Sequence, residues 1–149
     1  MNSQINIWRT LLLTSIAIFV FSSHISAQNR KSVSAAEVTG TFKISGEDGS
    51  EQEFRVLALG KNQLRVRFAG YNAGAGNSDE ARGTATIIGD AAIFTPQNIN
   101  TGCEIVLKFV RRGVLRVTHN SSEAECGLAP GVTAAGTYRK TSSSKPKFN

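Results

Sequence analysis

The chain has 149 residues, enough for one domain with an ordinary core and too few for a second. Its formal net charge of +6 comes from 17 Lys and Arg against 11 Asp and Glu, a moderate value that admits an anionic partner without demanding one. The single Trp and the single Met both fall at the extreme N-terminus, which keeps them out of the folded domain if that segment is removed.

Residues 1–27 read as a signal peptide. Arg9 is followed by the apolar run Leu11 to Phe21 and by Ser-Ser-His-Ile-Ser-Ala, ending on the small residue Ala27. The run is about a dozen residues, short of the roughly 20 that span a bilayer as a helix, so cleavage is expected rather than a retained anchor. The expected location is secreted or periplasmic, of a bacterial kind, with no membrane span after processing. In such a compartment Cys103 and Cys126, the only cysteines, are expected to form a disulfide.

Residues 28–36 and 141–149 are polar and aperiodic and are expected to be flexible tails. Between them, over 37–140, apolar and polar residues alternate with a period of two in short runs parted by Gly, Asn and Asp, which predicts antiparallel strands and no helix. The first run, Glu37 to Ser45, turns back at Gly46 to Gly49. The second, Gln52 to Leu59, faces Phe54 inward, while Leu57 and Leu59 on the other side suggest a bulge or a second contact. Gly60-Lys61-Asn62 is a hairpin turn into Asn62 to Gly70, where Leu64, Val66 and Phe68 alternate with Arg65 and Arg67.

Tyr71 to Glu80 reads as the longest loop of the core. Strands follow at Ala81 to Ile88 and Ala91 to Pro96, joined at Gly89-Asp90, then at Gly102 to Val110 and Val114 to His119, joined at Arg111-Arg112-Gly113. A second loop, Asn120 to Gly131, leads to the last strand, Val132 to Lys140. Eight consecutive strands with tight turns remove their edges best by closing into an up-and-down antiparallel barrel, lipocalin- or avidin-like, with a β-sandwich as the alternative. Gly40-Thr-Phe-Lys and Gly136-Thr-Tyr-Arg resemble each other and mark the expected closure seam, bringing two glycines and two rings into one layer.

The segments Cys103-Glu-Ile-Val-Leu-Lys-Phe, Leu115-Arg-Val-Thr, Cys126-Gly127, Val132 and Gly136-Thr-Tyr-Arg-Lys resemble a group of small secreted bacterial β-barrel proteins. The likeness spans the strand region and implies fold and location, but that group carries no assigned activity. More distantly, Gly40-x-Phe42 with Arg139 or Lys140 on the last strand is similar to the calycin pattern of lipocalin-like and avidin-like barrels, with Phe42 standing where that pattern carries Trp. Disulfide-bonded eight-stranded barrels also occur among bacterial lysozyme inhibitors, but their inhibitory loop has no copy here.

Catalysis is not expected. His119 is the only histidine past the leader, and nothing organises it with Ser121 or Ser122 into a hydrolytic set. Glu47-Asp48 and Asp79-Glu80 fall in turns, where acidic residues solvate the backbone, and lack the spacing of a calcium loop. Ala-Gly-Ala-Gly-Asn, before Ser78-Asp-Glu, lacks the Lys-Ser/Thr ending and the following helix of a phosphate cradle. No metal and no cofactor are called for.

What remains is binding by a monomer. One reading places a small apolar ligand inside the barrel among Phe42, Phe54, Phe68, Phe94 and Tyr138, with space left beside Ala81, Gly83, Ala85, Ala134 and Gly136. Those rings, with Phe109, would fill most of so small an interior, and a packed core is the favoured reading. The alternative is a protein-binding inhibitor or adaptor acting through loops or a basic outer face of Arg65, Arg67, Arg111, Arg112 and Arg116, with Lys108 and Arg139, toward an acidic protein or a polyanion. Without aromatic residues interleaved among those cations, nucleic acid is a poor fit.

Overall fold

In the computed structural model, which describes residues 32–99, 102–120 and 126–148, the chain enters through a helix of four residues, α1 (Ala35–Val38). Ser34 and Glu37 form a capping box, the Ser34 side chain accepting from the Glu37 amide and the Glu37 carboxylate from the Ser34 amide. The expectation of no helix is corrected here. A Ser-x-x-Glu signal outweighs period-two alternation over so short a stretch, and Val38 is buried as a plug at the barrel end.

Eight strands follow: β1 (Gly40–Ser45), β2 (Glu51–Gly60), β3 (Gln63–Asn72), β4 (Asn77–Ile88), β5 (Ala91–Pro96), β6 (Ile105–Arg111), β7 (Val114–His119) and β8 (Gly136–Ser142). They pair antiparallel in chain order and β8 pairs with β1, giving a closed up-and-down barrel and ruling out the sandwich. Inward positions carry the apolar residues of the period-two pattern. One row runs Lys140, Phe42, Phe54, Phe68, Ala81 across β8, β1, β2, β3 and β4.

Several boundaries differ from the sequence reading. The supposed loop Tyr71 to Glu80 is a hairpin whose turn is only residues 73–76, because Tyr71 and Asn72 extend β3 while Asn77 to Glu80 extend β4. The last strand begins at Gly136 rather than Val132 and continues to Ser142, so the expected tail starts inside the sheet. Beyond it, the Lys147 carbonyl accepts from Arg55 at 3.0 Å and the Phe148 ring lies 4.7 Å from the Arg65 guanidinium, so Lys147 and Phe148 lie along β2 and β3. Val33, in the segment read as loose, packs on the core and donates to the Gly89 carbonyl.

The seam joins the expected strands with a different register. Because β1 and β8 are antiparallel, Gly40 and Gly136 lie at opposite ends of the seam, not in one layer. Gly40 has φ of 149°, and a Cβ there would meet the Ser142 carbonyl oxygen at 2.2 Å; a side chain at this position would part the seam. At the end of β2 a register shift between Ala58 and Gly60 leaves Leu59 outside, so of the bulge and the second contact that its pattern allowed, the bulge is found at Leu59. Residues 1–27, read above as a signal peptide, lie outside the described residues.

Candidate functional site

The disulfide forms as expected. Cys103 and Cys126 are bonded, with Cα atoms 4.5 Å apart, tying the segment before β6 to the long connection between β7 and β8. Cys103 sits two residues ahead of β6, so the strand read from Gly102 begins only at Ile105. His119, at the end of β7, has Nδ1 3.6 Å from the Cys126 sulfur.

The described part of that connection, residues 126–135, folds over the barrel end. Its Ala129 amide donates to Asp79, Asn72 donates to the Gly131 carbonyl and Asn77 to the Pro130 carbonyl, while Val132 and Ala134 are buried. The Tyr138 hydroxyl donates to the Ala134 carbonyl at 2.8 Å, and burial pushes the phenol well above its ordinary pKa. Asp79 thus holds the lid from inside β4 while Glu80 faces outward; the two adjacent carboxylates point to opposite faces and form no site. At the other end α1 lies over the opening. Lys140, not Arg139, approaches Phe42, its Nζ lying 5.3 Å from the ring centre and donating to the carbonyls of Ala36 and Glu37.

The residues read as a ligand lining are all buried and occupied with one another. Phe54 lies tilted against Phe68 and edge-on to Tyr138, each with ring centres 5.0 Å apart, and Phe42 meets Phe109 edge-on at 6.0 Å. The small residues on the facing strands do not leave a free side, because rings lean into them: a Cβ on Gly83 would lie 3.3 Å from the Phe94 ring, and one on Gly136 3.5 Å from the Tyr138 ring. Ala85 stands opposite Phe94, and Ala81 opposite Phe68. This is large-to-small complementarity of a packed core.

The outer wall divides by charge. On β2 to β4, Arg55, Arg67 and Arg82 lie in one cross-strand row, and the next row runs Lys43, Glu53, Ala69, Glu80. Glu53 takes Arg55 at 2.6 Å and Lys43 at 3.1 Å; Glu80 takes Arg67 and Arg82. Burial raises the Glu53 pKa, but the hydrogen bonds from Lys43 and Arg55 outweigh it and hold the carboxyl below its ordinary value. A groove of about 450 Å³ opens over Ala69 between these carboxylates, with Tyr71 and Ser78 at its edge. Arg65 and Arg67, both read as binding cations, are therefore taken up, one by Phe148 and one by Glu80.

On β6 to β8 the arrangement is different. No Asp or Glu occurs in any of the three strands, and Lys108, Arg111, Arg112, Arg116 and Arg139 are all exposed. Lys108 stands directly opposite Arg116, a pairing of like charges. Asp90 reaches Lys108 at 3.9 Å, and among the described residues no carboxylate forms an ion pair with Arg111, Arg112, Arg116 or Arg139. The sequence lists these cations but does not separate them from Arg67, since which carboxylates lie beside which arginines depends on the register of strands distant in the chain.

Among the described residues no group of His, Cys, Asp and Glu gathers as a metal-ligand set, and no helix is long and apolar enough to cross a membrane. No family model, no curated protein and no solved structure matches the chain.

Proposed function

We propose that this is an extracytoplasmic, non-enzymatic binding protein, of the small secreted barrel kind its sequence resembles, that takes a polyanionic partner on the outer wall of β6 to β8. The observation that carries the reading is Arg116, set opposite Lys108 on strands that hold no carboxylate of their own, with Asp90 reaching Lys108 alone. Opposed like charges cost stability in a sheet, and elsewhere in this barrel the opposed arginines Arg55, Arg67 and Arg82 are held by Glu53 and Glu80. An anion laid across the wall would supply the missing counter-charge.

A polymer fits better than a folded protein. Protein interfaces draw their affinity from buried aromatic anchors, and both aromatic residues of these strands, Phe109 and Tyr138, point into the core. Polyanion binding needs only clustered cations and the release of counterions. A small apolar ligand inside the barrel is the weaker reading, because the rings named for its lining fill one another's space. The Cys103–Cys126 bond supports an oxidising compartment.

The test is a titration with dextran sulfate over a range of salt concentrations. Binding should weaken steeply as salt rises, and the double substitution Arg116→Glu with Arg139→Glu should lower affinity by about tenfold or more at low salt. Equal affinity of this variant and the parent protein would overturn the proposal.

A further inference from the structure

We infer that the α1 end of the barrel docks on an anionic lipid surface through its three hairpin tips, independently of the β6 to β8 wall. The turns between β2 and β3, β4 and β5, and β6 and β7 all lie at this end. Backbone hydrogen bonds join each to the next strand along the rim: the Ile87 amide donates to the Asn62 carbonyl, Phe109 to Asp90, and Lys140 to Gly113. At or beside each tip an aliphatic side chain points to solvent: Leu59, 55% exposed, Ile88, 66%, and Val110, 37%. Most of the exposed large hydrophobic residues of the described chain gather at this rim, while the opposite end is covered by the β7–β8 connection.

The cations supply the second half of the argument. Lys61 lies in the first tip and Arg111 and Arg112 in the third, all exposed, and Asp90 in the second is matched by Lys108. Aliphatic tips flanked by Lys and Arg are the chemistry of an interfacial anchor, in which short apolar groups enter the boundary of headgroups and acyl chains while the cations hold anionic headgroups. A second copy of this chain offers no such match, since two cationic rims would repel. A soluble polyanion would not use Ile88.

The experiment is co-sedimentation of the protein with vesicles of phosphatidylcholine and phosphatidylglycerol, three parts to one, against vesicles of phosphatidylcholine alone. The protein should bind the mixed vesicles and release as salt rises, and should bind the zwitterionic ones more weakly. Leu59→Ser with Ile88→Ser, which alters exposed side chains only, should reduce binding to mixed vesicles by about tenfold or more while dextran sulfate binding stays unchanged. Arg116→Glu with Arg139→Glu should leave most vesicle binding in place, which separates this surface from the wall. The inference is overturned if the parent protein fails to sediment with the mixed vesicles. It is equally overturned if the tip variant binds as the parent does, or if the tip substitutions instead dissociate a dimer seen by analytical ultracentrifugation.

Discussion

Lys140 and Phe42 lie side by side in the seam, and the ammonium 5.3 Å from the ring centre also holds the Ala36 and Glu37 carbonyls of α1. One side chain thereby ties the last strand to the first and both to the helix over the barrel end. Burial, and then the nearby Arg112 charge, hold the Lys140 pKa below its ordinary value, so the contact is made by a partly desolvated cation.

Replacing it as Lys140→Met keeps the aliphatic packing and removes the charge and both hydrogen bonds. A loss of roughly 1–3 kcal/mol is expected. Urea denaturation reads the total, and hydrogen exchange should show the α1 amides opening ahead of the barrel strands. An unchanged midpoint with unchanged α1 protection would contradict the role given to this residue.

The Cys103–Cys126 bond closes a loop with a sequence separation of 23. Chain-entropy arguments assign such a closure about 3 kcal/mol, which for a domain of this size is a fall of roughly 10–20 °C in Tm. Cys103→Ala with Cys126→Ala should show that fall in oxidising buffer and match the parent protein once reductant is added. Identical melting curves in oxidising buffer would mean that the two sulfurs are not joined.

Glu53 ionises more readily folded than unfolded, since its carboxylate holds Lys43 and Arg55. Its contribution to stability is therefore complete above the ordinary glutamate value of 4.5 and disappears as the pH falls through the lowered folded value. Urea midpoints of the parent protein and of Glu53→Gln, measured down a pH series, should be separated near neutrality and converge in acid. A gap that persists at the acid end would assign the effect to something other than this carboxylate's charge.

Arg116→Glu places an acid opposite Lys108 where like charges now face each other. Stability should rise by about 0.5 kcal/mol, read as a higher Tm, while polyanion affinity falls. Gain in one with loss in the other is the mark of a position kept for binding; a loss of both would show that Arg116 serves the fold.

The strand faces were legible because pleat periodicity is local: Leu64, Val66 and Phe68 alternate with Arg65 and Arg67 whatever lies across the sheet. Closure was legible from eight successive runs with tight turns. The stretch from Tyr71 to Glu80 misled because Gly, Ala and Asn dominate a hairpin whose flanking residues still pair; Asn72, Asn77 and Asp79 are polar because they fasten a distant lid. Ser34 to Glu37 was missed although a capping box is a local signal, since its helix is only four residues long.

The sequence by itself therefore determined which residues face inward, most of the places where the chain turns, and, as its only two cysteines, the pair that forms the disulfide. Only the tertiary structure decided that Phe148 covers Arg65, that Glu80 takes Arg67 while Arg116 has Lys108 before it, and that Leu59 and Ile88 share a rim. The reason is that alternation is set by neighbours along the chain, whereas each of these relationships depends on the register in which strands far apart in sequence meet.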